Sequence, residues 1–517
     1  MANLQGMRRF LAGLIGALSL VAAVPASAQV PPTPPRDQWF AFNDESHWGN
    51  EKDQVRIDKR CLGLPKPKQV ACSLEAFKKK PFVVIALIDS GINPYHQDFR
   101  APEFVHHPSK YIEGYPAEAQ AFGLSFSTAD AKGYEAARKA DDTDWALVKR
   151  GELKWFPGTR VIGGISLGGG GQVCSGPPSG GLPVLDEACE NPFPDRPIVD
   201  DNGHGTGTAS VAAGQFFGAN PNALIVEVES LGEASLNWAT DQKWIDIVSN
   251  SWGNLANLPL GDPEMTKTAT ERGQTVVFSA GNGATNTNSS RFFPPVPVED
   301  PCKCKTPDSD NSMTDPWSGP PWLLTVGAIS PINGQDHWWH SYPVDVSSFG
   351  SKWRAAGAFG VEIRPDENNV ETRDFGGTSC AAPITSGVLS QIILEAREIL
   401  GDTTGGQRPD QAVAVGPKSR APKDGPLADG VLTRLEAEDI VQKTAFPTPA
   451  DPMTITWDYA VRPTTPAYFI HQGYGVVDRN SLALARKVLV GAEELPARPE
   501  ADQWIQAIDA IRGVLWR

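Results

Sequence analysis

The chain has 517 residues, 40% of them hydrophobic, and carries 46 Lys plus Arg against 61 Asp plus Glu, a formal charge of −15. Its 50 Gly and 45 Pro stay below the roughly 25–30% share of low-complexity chains, so a large packed core is expected. The acidic balance excludes a basic nucleic-acid-binding surface, and a lone long apolar run near the N-terminus excludes a polytopic membrane protein.

That run belongs to a segment, residues 1–28, that reads as a signal peptide. Arg8 and Arg9 supply the positive end, Phe10 to Val24 is uncharged and shorter than the ~20 residues of a membrane span, and Ala26-Ser27-Ala28 is a small-residue cleavage site. An exported protein, periplasmic or extracellular and free of the membrane after cleavage, is expected. The cysteines agree. Cys61, Cys72, Cys174, Cys189, Cys302 and Cys304 lie in loop-like contexts and read as disulfide candidates in an oxidising compartment. Cys61–Cys72 and Cys174–Cys189 are the favoured short closures. A Cys302–Cys304 bridge across one residue would be strained. Cys380 reads as a buried free thiol.

Residues 29–80 are Pro- and Lys-rich and read as an N-terminal arm without its own core. PFVVIALIDSG (81–91) is a continuous apolar run ending in Asp-Ser-Gly, the pattern of a buried parallel strand and a turn. Residues 100–156 read as a polar, loop-like insertion with some helix, and 160–167 as a second strand. A Gly/Pro-rich insertion follows at 172–195, then a small-residue helix at 205–215. Strands are expected at 223–230, 245–253, 274–282 and 321–330, with helices at 234–244 and 262–272 between them. Residues 376–400 open with small residues and become a long apolar helix. A loop is expected at 401–430. The next helix, 432–445, has Thr433 as N-cap with Glu436 three residues on. Residues 491–517 read as a helical tail. Strands alternating with helices predict an α/β domain over 81–490, built as a doubly wound, mostly parallel sheet with helices on both faces.

In such sheets ligands bind beyond the carboxyl ends of the strands. Asp89 ends one expected strand and Asn282 another; His204 and Ser379 open helices. Each alone is a weak signal: Asp-Ser-Gly and Gly-Asn-Gly are ordinary turns, and Gly-Thr-Ser is an ordinary helix start. Together an Asp, a His and a Ser supply a carboxylate that orients a base, the base, and a nucleophile.

At these segments the chain resembles the subtilases, the subtilisin-like serine peptidases. VVIALIDSGINPYHQDF, DDNGHGTGTASVAAG and GGTSCAAPITSGV resemble the family's catalytic Asp, His and Ser segments; IVSNSWG resembles its substrate-binding strand and VVFSAGNG its oxyanion segment. The resemblance implies a subtilisin-like fold, a triad of Asp89, His204 and Ser379, and an oxyanion hole from Asn282 and the Ser379 backbone N–H. It also implies that Ser251, Trp252 and Gly253 line the cleft. The implied activity is a serine endopeptidase on polypeptide substrates, working as a monomer without a cofactor. Gly207 stands where many members carry a second His or a larger residue, and Cys380 where many carry Met. Acidic stretches at 141–144 and 308–315 raise calcium as a ligand, but without the regular spacing of a calcium loop they read as solvated; no metal is expected. The rival readings are a catalytically idle binding scaffold and an esterase using the same triad.

Overall fold

The computed structural model describes residues 81–101, 104–122, 148–167, 198, 200, 202–215, 217–253, 264–281, 319–332, 335–338, 345–349, 353–356, 372–402, 411–414, 420–446 and 473–515. The expected signal peptide, the arm at 29–80, the insertion at 172–195, the two acidic stretches and the six cysteines read as disulfide candidates fall outside them. Cys380 is buried and free.

The strands are β1 (Val84–Asp89), β2 (Gln120–Ala121), β3 (Lys154–Trp155), β4 (Val161–Ser166), β5 (Leu224–Glu229), β6 (Ile247–Asn250), β7 (Thr275–Ser279), β8 (Leu324–Ile332), β9 (Gln335–Trp338) and β10 (Val346–Phe349), then β11 (Trp353–Ala356), β12 (Thr372–Phe375), β13 (Gln411–Ala414) and β14 (Val431–Thr433). The first ten form one sheet in the order β10-β8-β7-β6-β1-β5-β4-β3-β2, with β9 beside β8. From β4 to β10 every neighbour along this order is parallel. The antiparallel pairs in this sheet, β3 with β4 and β8 with β9, lie outside that run.

Burial on both faces explains the continuous apolar strands. Val83, Ile85 and Leu87 enter one core with Ile225 and Ile247, while Val84, Ala86 and Ile88 enter the other with Val226 and Val248. Helices α1 (His204–Ala213) and α4 (Thr378–Leu400) cover the first face; α2 (Glu233–Asp241) and α3 (Glu264–Glu271) cover the second. Helix α1 is buried almost all round, which is why its sequence is small rather than amphipathic. Its contact with α4 is so close that a Cβ on Gly387 would lie 2.5 Å from the Ala212 carbonyl. Helix α5 (Arg434–Thr444) starts with the expected capping box between Thr433 and Glu436; α6 (Arg479–Leu489) starts with another, from Asp478 and Ser481.

Three regions differ from the sequence expectations. The 100–156 insertion adds β2 and β3 to the sheet edge, and it buries Tyr111, Tyr115 and Trp155 instead of remaining polar loop. Within the expected loop at 401–430, β13 pairs antiparallel with β14. The expected tail forms α7 (Pro499–Leu515) and is part of the core: Ala501, Ile505 and Ile508 are buried in the first-face cluster. The fully buried Arg512 also pairs with Asp345 at 3.0 Å and donates to Thr325 Oγ1 at 2.8 Å. The boundary expected at 490 therefore does not separate a tail from the core.

Candidate active site

Asp89 is the last residue of β1, at the carboxyl edge of the parallel strands, and is 3% exposed. Its Oδ1 and Oδ2 lie 2.8 and 3.0 Å from His204 Nδ1. The carboxylate also accepts from the Ser90 N–H at 2.8 Å and the Thr208 hydroxyl at 3.3 Å. His204 is the first residue of α1. Gly203 before it has φ +92°, a left-handed turn that suits glycine. The imidazole is a third exposed, so it is anchored on one edge and reachable on another.

The loop before α1 is tied down by Asp200. This fully buried carboxyl accepts from the N–H groups of Asn202, Gly203 and Thr206, at 3.1, 2.7 and 2.7 Å, and so satisfies donors that the start of a helix leaves unpaired. It also accepts from the Ser90 hydroxyl at 2.9 Å, and Ser90 Oγ in turn accepts the Gly205 N–H at 2.9 Å. Burial pushes the Asp200 carboxyl above the usual range, against these donors.

Ser379 sits in the first turn of α4 and is 9% exposed. Gly377 before the helix has φ +83°, which bends the chain sharply into it. Ser379 Oγ donates to the Ser251 carbonyl at 3.1 Å, and Ser251 Oγ donates to the Ser379 carbonyl at 3.1 Å. The second bond has a cause in the sequence. The Ser379 carbonyl would ordinarily accept from residue 383 one helical turn on, but that residue is Pro383 and has no N–H. The Ser251 hydroxyl takes the place of the missing donor. Ser251 follows β6 directly; Trp252 and Gly253 are half-buried. The Trp252 ring stands edge-on to Phe278 with 5.4 Å between centroids, so the indole is committed to the second core.

The structure thus brings Asp89 to His204 and Ser379 to Ser251. Phe375 links the two pairs: it ends β12 four residues before Ser379, and its ring is edge-on to the His204 ring at 5.3 Å. A Cβ on Gly207 would lie 2.8 Å from that ring, so Phe375 fills the space that a larger residue at 207 would need. Gly281, just before Asn282, is described, but Asn282 is not.

Several residues around the site escape a reading of the sequence. Asp200 stands four residues before His204 among ordinary turn residues. Pro383 signals a freed carbonyl only once the helix start is known. Glu227 is a charge inside the apolar run of β5, a local signal that a buried carboxyl serves some purpose. It is fully buried on the α1 side of the sheet, and its Oε1 accepts the Gly91 N–H at 3.2 Å. Burial, and then the charges of Asp89 and Asp200, push its carboxyl well above the usual range.

A family model described as the subtilase family matches residues 81–404, more than half of the chain. A comparison with curated proteins gave no match. Among solved structures, the chain is similar to one described as the crystal structure of a cold adapted subtilisin-like serine proteinase. The two are 15% identical, the match covers 78% of this chain and 92% of that one, and the TM-score is 0.35. On the extent of the family match, the chain belongs to the subtilase family of serine peptidases.

Proposed function

We propose that the protein is an exported serine endopeptidase that cleaves peptide bonds with Asp89, His204 and Ser379 through an acyl-enzyme. The observation that supports this most is the His204 Nδ1–Asp89 contact of 2.8 Å, made by an imidazole that is a third exposed. That contact sets the tautomer: Nδ1 carries the proton and Nε2 is left to accept one. Ser379 Oγ attacks the scissile carbonyl carbon as its proton passes to Nε2. The imidazolium then gives that proton to the leaving amine, and water repeats the sequence on the acyl-enzyme. The carbonyl oxygen becomes an anion in the transition state. First-turn N–H groups of a helix lack intrahelical partners, so the Ser379 N–H is a suitable donor, with the Asn282 amide as the second. In this reading an extended substrate lies along Ser251–Gly253 and takes backbone hydrogen bonds there. Before substrate arrives, Ser379 Oγ rests on the Ser251 carbonyl; attack requires it to turn toward His204.

The test is to incubate the purified mature chain with casein and a fluorophosphonate probe and to map the labelled residue. Label on Ser379 together with casein cleavage is expected, and both should be absent in Ser379→Ala. Label elsewhere, or cleavage surviving in that variant, rejects the mechanism. N-terminal sequencing of exported protein should begin at Gln29. A thiol count on the unfolded, unreduced protein should find about one free cysteine if the six outside Cys380 are paired.

A further inference from the structure

Three buried carboxyls share the ground beneath the Asp-Ser-Gly turn: Asp89 at the end of β1, Asp200 before α1 and Glu227 in β5. Their partners differ. Asp89 meets His204, the Ser90 N–H and the Thr208 hydroxyl. Asp200 holds three backbone N–H groups and the Ser90 hydroxyl. Glu227 has the Gly91 N–H on Oε1, while its Oε2 is buried with no hydrogen-bond partner among the described residues. No ion pair joins Glu227 to a Lys or Arg among those residues. The acidic groups facing it are Asp89 from β1, Asp200 from the loop before α1, and Glu229 from its own strand. Three full negative charges here, with one imidazole as the catalytic counterion, would repel one another in a poorly solvated space. The carboxyl with the fewest donors is the one that keeps its proton.

The geometry around Glu227 is also tight. A Cβ on Gly205 would lie 3.0 Å from Glu227 Oε1 and 2.2 Å from the Gly91 carbonyl. The residue after His204 is therefore wedged between the turn that follows Asp89 and the Glu227 carboxyl.

We infer that Glu227 is a positioning residue that works as a neutral carboxylic acid, holding the Asp89–Gly91 turn against His204–Gly205 and leaving Asp89 to face the imidazolium. This rests on the reading of Asp89 and His204 as triad members. A neutral acid offers Oε1 to Gly91 without adding a second carboxylate beneath the base. An ionised Glu227 would stabilise the imidazolium further and move the pH at which the base becomes free upward.

Two measurements test this, and one needs no activity. Thermal or denaturant stability of the full chain and of Glu227→Gln is compared from pH 4.5 to pH 8. The sign follows from linkage. A carboxyl whose folded form keeps its proton stabilises the fold below its unfolded pKa, about 4.3 for Glu, and loses that contribution as pH rises toward its folded value. Glutamine has no proton to lose, so the variant should gain on wild type with rising pH, by up to about tenfold in the unfolding equilibrium per pH unit. A difference constant over that range overturns the neutral assignment. In the second measurement, Glu227→Leu removes the acceptor for Gly91. Its kcat should fall by up to about 10²-fold with KM little changed, and Glu227→Gln, which keeps an acceptor, should restore most of the loss. If the Leu variant does not fold, Glu227→Met takes its place. A wild-type kcat in the Leu or Met variant overturns the positioning role, as does failure of Gln to restore the rate. If the wild-type chain neither cleaves casein nor labels at Ser379, the peptidase reading fails, while the pH-dependent stability difference still decides the charge of Glu227.

Discussion

The two edges of the parallel sheet both bury carboxylates, and they neutralise them differently. At the amino edge, Asp246 immediately precedes β6 and is paired with the fully buried Arg397 of α4 at 2.6 Å, while its other oxygen takes the Val84 N–H at 2.9 Å. Asp345 immediately precedes β10; it is paired with Arg512 and accepts the Thr325 N–H at 2.7 Å. Each is a fixed charge held by a guanidinium that stays protonated at any working pH. At the carboxyl edge, Asp89, Asp200 and Glu227 have backbone N–H groups, hydroxyls and one histidine as their described partners. A guanidinium there would satisfy Asp89 permanently and leave nothing for an imidazolium to gain. The amino edge is built to hold its charge; the carboxyl edge, in the proposed reading, is arranged so that a charge can come and go.

Breaking each edge should give opposite signatures. Ser379→Ala should have the largest effect, roughly a 10⁶-fold loss of kcat, the scale known for removal of the triad serine in subtilisin. Its melting temperature should change little, because the Oγ makes one described hydrogen bond. Arg397→Ala should do the reverse. It leaves Asp246 buried and unpaired and should cost about 3–5 kcal/mol of stability, measured by denaturant unfolding, while the folded fraction cleaves at the wild-type rate. Arg397→Met combined with Asp246→Leu should regain most of that loss, since no charge is then buried. Asn282→Ala should lower kcat by about 10²–10³-fold at unchanged KM, a figure taken from the oxyanion Asn of subtilisin. A variant that melts lower yet cleaves at the wild-type rate would remove Asn282 from the mechanism.

Smaller changes sharpen the comparison. Gly207→Ala pushes a methyl into the Phe375 ring and should cost about 1–3 kcal/mol by overpacking. Because that ring touches His204, kcat should fall with it, and Phe375→Leu in the same chain should relieve both. At the amino edge, burial pushes the Asp509 carboxyl up to about 6, although Arg512 at 3.0 Å pulls it down. Its folded value lies above the ordinary carboxylate value near 3.9, so stability should fall as pH rises through that window and Asp509→Asn should flatten the fall. An equal pH dependence in the two proteins would show that Asp509 does not titrate there.

Much of this was legible in the residues because local rules and the global fold agree. The continuous apolar runs around Val84, Leu224 and Ile247 demand burial on both faces, which a parallel sheet under two helical layers provides. Thr433 and Glu436 announce a helix start and form its capping box. Asp89, His204 and Ser379 could be singled out because each sits where a strand ends or a helix begins. The missing pieces depend on partners remote in sequence. Nothing near Arg512 indicates that it finds Asp345, so α7 reads as a helical tail. Glu227 carries its charge in plain view, yet its surroundings come from residues 89, 91 and 200, assembled only by the fold. The strand pairing of Gln411–Ala414 is set by Val431–Thr433, not by a strong pattern of its own.

The proline in α4 has a consequence for how substrate length is felt. By deleting one N–H, Pro383 hands the Ser379 carbonyl to Ser251, and the two serines are cross-tied in both directions. In the proposed reading, the peptide unit fastened in this way carries the nucleophile, and the strand end that holds it is where the substrate lies. Pull from a long substrate on 251–253 is then transmitted to residue 379 through the Ser251 hydroxyl's bond to the Ser379 carbonyl, which survives when Ser379 Oγ turns toward His204. Extending a peptide away from the cleaved bond should raise turnover more than it tightens binding. Pro383→Ala, by restoring the competing N–H to the helix, should weaken that dependence on length while leaving the shortest substrates least affected.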